Sequence, residues 1–154
     1  MTEEVTAKID IEAVLKEGKA IQVKPQGYSM YPLFVPGRDE AVIRPVAGKQ
    51  ELRALKRGDV VLYRRKRGIL VLHRIWKTDG KRFYMVGDNQ SEIEGPLEAS
   101  QIKGKLEVII RKGHYIETTD LLYRFLTGVW LWLRPARPML SQIAHRIKVL
   151  FGRS

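Results

Sequence analysis

Hydrophobic positions alternate in short runs through the middle of the chain and change to helical spacing near both ends. In residues 10–18, Ile11, Val14 and Leu15 share one side of a short helix, and Gly18 is its stop. Residues 20–24 turn strand-like, and Pro25-Gln26-Gly27 break them. Segments 40–45 and 46–51 flank a connection containing proline and glycine, and Lys56-Arg57-Gly58-Asp59 is a turn into Val60-Val61-Leu62-Tyr63. Residues 64–68 read as a basic, solvated hairpin tip. Residues 69–76 are the most strand-like of the chain, and Thr78-Asp79-Gly80-Lys81 turns them into a partner strand over 82–86. A last strand covers 102–112, with Gly104 as a candidate bulge and Lys112-Gly113-His114 as its end. Many strands with short turns and little helix between them predict a mainly β fold, antiparallel and partly barrel-like. The expected division is an N-terminal helix in 1–19, a β domain in 20–118 and a helical tail in 119–154.

In the tail, residues 121–133 are apolar except for Arg124 and a few small or polar positions. A bilayer span needs about 20 apolar residues, so this segment is too short to cross. Arg134-Pro135-Ala136-Arg137-Pro138 interrupts it. Residues 139–151 resume a helical pattern, with Leu140, Ile143, Ala144, Ile147, Leu150 and Phe151 opposite Gln142, Arg146 and Lys148. Two basic amphipathic helices carrying Trp130 and Trp132 fit a peripheral anchor on an anionic membrane surface. The lesser alternative is a helical pair packed on the protein's own domain or on a second copy.

Charge sharpens that reading. The 154 residues carry 28 Lys and Arg against 17 Asp and Glu, a net charge of +11, which favours a polyanionic neighbour. Residues 120–154 hold six of the basic residues and one acid. No helix-turn-helix pattern or RNA-type aromatic motif is present, so nucleic acid is not the expected partner. The absence of cysteine excludes disulfides, thiolate metal sites and a cysteine nucleophile. His73, His114 and His145 lack metal-ligand spacing, and neither a metal nor a cofactor is expected. The acidic start, Met1-Thr2-Glu3-Glu4-Val5, reads as neither a secretory signal nor an anchor.

Three blocks carry candidate chemistry: Gly27-Tyr28-Ser29-Met30-Tyr31-Pro32, Leu72-His73-Arg74-Ile75 and Gly87-Asp88-Asn89. Serine needs a nearby proton acceptor before it can attack a carbonyl, and His73 is a candidate. Taken singly, Ser29 can be a turn former and His73 a sheet residue. Taken in order, the blocks resemble the type I signal peptidase superfamily of serine endopeptidases. Ser29-Met30-x-Pro32 resembles its nucleophile box, Gly58-Asp59-Val60-Val61 its next strand, and Gly87-Asp88-Asn89 its downstream loop. The His-Arg pair resembles the branch that uses histidine where other members use lysine.

This resemblance implies a signal-peptidase-type β domain with Ser29 as nucleophile, His73 as base and the Ser29 N–H in the oxyanion hole. It implies Asp88 as the loop aspartate and Glu94, six residues on, at the place of the orienting acid, a glutamate where aspartate is usual. Either carboxylate is a candidate for the third role. The implied substrate is a leader or signal segment of a peptide or preprotein, with small residues before the cut. The alternatives are a maturation protease for one modified or secreted peptide, and a non-catalytic basic membrane-binding module. An unperturbed imidazole titrates near 6.5, so activity is expected to rise with pH between about 6 and 7.

Overall fold

The computed structural model describes residues 10–151; the acidic N-terminal stretch read above lies outside them. Helix α1 (Ile11–Lys16) starts where the Asp10 carboxylate accepts the backbone N–H groups of Glu12 and Ala13 at 3.1 and 3.2 Å, an N-cap that occupies two otherwise unpaired donors. Strands β1 (Ile21–Val23) and β2 (Asp39–Pro45) follow, then helix α2 (Gly48–Ala54). Next come β3 (Val60–Arg64), β4 (Leu70–Thr78), β5 (Arg82–Val86), β6 (Glu94–Glu98), β7 (Ile102–Arg111) and β8 (His114–Glu117). Helices α3 (Leu121–Trp132) and α4 (Arg137–Phe151) complete the chain. One compact unit ends at Thr119 and a second begins at Asp120.

Every strand pairing is antiparallel, in the order β1-β2-β7-β3-β4-β5-β6, with β8 added on β7. The ten-residue β7 is the hub: its first half pairs with β3 and its second half with β8, while β2 runs along its other edge. The fold is mainly β and antiparallel, as expected, and the sheet is open: it does not close into a barrel. Both edges explain this. β1 has only three residues before Pro25, and β6 contains Pro96, which has no N–H to offer a further strand.

Three elements differ from the sequence expectation. α2 forms in a polar stretch where no helix was expected; its N-terminus is met by Glu51, whose carboxylate accepts the Ala47 N–H at 2.7 Å. β6 forms in a stretch containing Gly95 and Pro96 to which the sequence reading assigns no strand. Lys112-Gly113 does not end the sheet but turns it into β8, with Lys112 and Gly113 at φ of 51° and 78°.

One core cluster gathers Val61, Tyr63, Ile75, Phe83, Met85 and Leu97. The alternating faces of β4 and β5 supply several of these, whereas β3 is buried on both faces from Val60 to Tyr63 and reads as a continuous apolar run. Truncating such a side chain to alanine costs about 2–5 kcal/mol. The site described next rests on this rigid support.

Candidate active site

Ser29 sits in a tight turn between β1 and β2. Gly27 takes a φ of 75°, a conformation that a side chain would strain, and the turn closes through the Tyr31 N–H to the Tyr28 carbonyl at 3.1 Å. Met30 and Phe34 are buried beneath it, so the half-buried serine is held on an apolar base. The Gly87-Asp88-Asn89 loop clamps this turn from the other side. The Asn89 N–H donates to the Ser29 carbonyl at 2.9 Å, and the Asp88 N–H approaches Met30 Sδ at 3.5 Å. A Cβ on Gly87 would stand 2.6 Å from the Ser29 carbonyl oxygen, so only glycine permits the approach.

His73 and Arg74 are neighbours in β4, and neighbouring side chains leave a strand on opposite faces. Arg74 is wholly buried and binds both carboxylate oxygens of Asp88 at 2.7 Å, while its third contact is the Gly58 carbonyl at 2.8 Å. The Gly58-Asp59 turn, the strand with the histidine and the loop that clamps the serine are thereby tied together by one guanidinium.

The other face carries His73, only 3% exposed. In the β3–β4 register His73 lies opposite Val61, which makes Tyr63 its diagonal neighbour on the same face, within reach of a long side chain. The Tyr63 hydroxyl lies 3.1 Å from His73 Nδ1 and donates to Glu94 Oε2 at 2.7 Å. Glu94 in turn takes a two-pronged contact from Arg65, both bonds at 2.8 Å. Gly95 sets the position of Glu94: at a φ of 149° its hydrogen faces the Phe83 carbonyl, which a Cβ would approach to 2.8 Å, and the β5–β6 register slips there.

Proton bookkeeping along this chain fixes the tautomer. Burial works against the Glu94 charge, but the Arg65 and Tyr63 hydrogen bonds outweigh it and hold the carboxyl below its ordinary range, so it is ionised and can only accept. Tyr63, driven upward by burial and then by Glu94, keeps its single proton and gives it to Glu94. Its oxygen can then only accept from His73, so Nδ1 carries the ring proton and Nε2 presents a lone pair. Burial, followed by the positive charge of Arg65, pushes the His73 pKa down to about 4. In place of the unperturbed imidazole expected from sequence, the ring is buried and neutral at physiological pH.

Ser29 and His73 line one groove of about 450 Å³, together with Phe34, Leu62, Leu72 and Arg65. Among the described residues the ring's hydrogen-bond partner is Tyr63, and no bond joins it to Ser29. Of the two candidate acids, Asp88 is turned to Arg74, and Glu94 reaches the imidazole only through Tyr63. Tyr63 and Arg65 were not singled out from sequence, and Arg74 was named only as half of the His-Arg pair, with no role given to it. No local pattern marks Tyr63, whose place beside His73 follows from the β3–β4 register. Arg65, read as part of a solvated hairpin tip, instead lines the groove.

Comparisons with protein-family models, curated proteins and solved structures find no match to this chain.

Proposed function

We propose that the protein is a serine endopeptidase of signal-peptidase type, cutting a leader or signal segment by Ser-His acyl transfer. The single observation that carries the reading is the neutral His73, its Nδ1 proton tied to Tyr63, lining the same groove as Ser29. In this mechanism Nε2 meets the Ser29 hydroxyl as the peptide binds, since catalytic bonds commonly tighten on binding. Nε2 takes the hydroxyl proton as Oγ attacks the scissile carbonyl, and the Ser29 N–H supports the oxyanion. The imidazolium then formed is stabilised through Tyr63 by the Glu94 charge. Nε2 returns the proton to the leaving amine, and water releases the acyl group by the same steps in reverse roles. The substrate is an extended segment with small residues before the cut.

The peptidase reading is tested by incubating the protein with a serine-acylating probe and mapping the adduct by mass. Ser29 should carry it, and Ser29→Ala and His73→Ala should each abolish labelling and peptide cleavage. Turnover in either variant would overturn the assignment.

The proposed partner of the tail is an anionic membrane surface. On α3, Leu121, Leu122, Phe125, Leu126 and Val129 recur at helical spacing and are exposed, as are Met139, Ile143, Ile147 and Leu150 on α4. Among the described residues no helix is long and apolar enough to cross a membrane. A stripe of this kind gains from burial at the headgroup boundary, and Arg146 and Lys148 gain from anionic lipid. The full chain should sediment with anionic vesicles, and removal of residues 120–154 should release it. Failure to bind would favour a helical pair that packs on protein.

A further inference from the structure

The far end of β4 from the groove carries a second concavity, of about 840 Å³. It is lined by Arg53, Lys56, Arg57, Trp76, Lys77 and Lys81, together with the β4–β5 turn. Thr78 lies five residue steps along the strand from His73, roughly 16 Å at the usual rise, so this is not an annex of the serine groove. Its volume falls in the range of about 300–1,000 Å³ common for small-molecule sites.

Positive charge without acidic partners is gathered around it. Elsewhere Arg38, Arg64, Arg65, Arg74, Lys103, Lys105 and Arg111 each face a carboxylate. Among the described residues, none of the five cations around this cavity has an acidic partner within 4.0 Å. The acid in the lining, Asp79, is occupied: its carboxylate accepts the backbone N–H groups of Lys81 and Arg82 at 2.9 and 2.8 Å. Five like charges around one hollow repel each other, a cost relieved by an anion.

The backbone is also shaped for the site. The β4–β5 register passes from Ile75 opposite Met85 to Lys77 opposite Tyr84, so Trp76 is the extra residue of a bulge, a device that re-aims side chains. Arg57 lies over the Trp76 ring, 4.2 Å from its centroid. That stacking restrains the guanidinium before any ligand arrives, and a restrained planar fork loses less freedom on gripping a phosphate.

We propose that this cavity binds clustered phosphate groups, borne on a soluble polyphosphorylated molecule or on a phosphoinositide headgroup. Arg57 and Lys81 supply principal contacts, with Arg53, Lys56 and Lys77 around them. The inference is independent of the peptidase reading, and Ser29→Ala protein must bind as the parent does.

The test is calorimetric titration of the full chain with inositol hexakisphosphate, alongside flotation with phosphatidylcholine vesicles with and without phosphatidylinositol 4-phosphate. The double change Arg57→Gln/Lys81→Gln should weaken binding about a hundredfold, roughly tenfold for each charged contact. Lys66→Gln/Arg67→Gln removes the same charge from the exposed β3–β4 tip, away from the lining, and should weaken it less than about threefold. Cavity-dependent binding of the soluble probe assigns a free ligand. Cavity-dependent flotation without it assigns the headgroup. Equal loss in both double variants, no binding to either probe, or tighter binding of a single-stranded RNA would overturn the proposal.

Discussion

Two arginine–carboxylate pairs of nearly the same geometry flank the imidazole, and they differ in their access to water. Arg74 and Asp88 have side chains 0% and 2% exposed, whereas those of Arg65 and Glu94 are 40% and 31% exposed. Burial raises the cost of leaving one partner alone, so the first pair acts as a clamp on architecture. The second is screened by solvent and contributes little to stability, yet it terminates the hydrogen-bond chain on His73. Identical chemistry thus yields a structural joint in one place and an adjustable electrostatic support in the other.

The largest effect should come from unbalancing the clamp. Asp88→Asn leaves a buried guanidinium without its counter-charge and should cost about 3–5 kcal/mol in denaturant unfolding. Arg74→Met/Asp88→Leu should be more stable than either single change, because it removes both charges; a double variant as unstable as the singles would deny that the charge imbalance is what matters.

Next in size is Tyr63→Phe, which keeps the ring in the core and deletes the hydroxyl between His73 and Glu94. A buried ring N–H left unpaired is worth about 1–3 kcal/mol, so kcat should fall roughly 10- to 100-fold with KM little changed. If kcat holds while stability drops, the hydroxyl is a packing feature and the relay has no catalytic part.

The pH profile separates the two pairs further. With His73 at about 4 when folded and near 6.5 in the unfolded chain, the unfolded form takes up the proton first. Its contribution to stability is complete above about 6.5 and is lost as pH falls toward 4. Peptidase activity should show an acid limb near pH 4, well below the value expected from sequence. Arg65→Gln relieves the positive charge beside the ring and should move that limb upward. A limb that stays near 6.5 in the parent protein would mean that the ring is wet.

The smallest expected effect is ionic. Glu94→Gln should change stability by less than about 1 kcal/mol, and high salt should weaken the Arg65–Glu94 pair while sparing Arg74–Asp88. Thermal melts of Glu94→Gln and Asp88→Asn across a salt series would read this directly.

Much of the β framework could be read from residue order. The β4–β5 hairpin was visible because alternation on both sides meets Thr78-Asp79-Gly80-Lys81, and β3 because a turn precedes an apolar run. β6 escaped because Gly95 and Pro96, which suit a slipped edge strand, are also loop residues. Ser29 and His73 could be named from their blocks, since a block is a local pattern. Tyr63 could not, because its place beside His73 depends on the register of two strands, and a shift of one residue would send it to the opposite face. Nor could the separate tasks of Asp88 and Glu94, which follow from which guanidinium each one meets.

The position of β7 has a consequence for the order of events during synthesis. β2, which follows the serine turn, and β3, which leads into the histidine hairpin, are not neighbours; both are stitched to β7, residues Ile102–Arg111. A ribosome that has emitted the chain only as far as the clamp loop has released the serine, the histidine and that loop, but no strand to join their halves of the sheet. Non-local pairing of this type is slow, and here it also comes late. The groove is therefore completed only after almost the whole β domain has emerged, so Ser29 and His73 come to share one cavity late in synthesis.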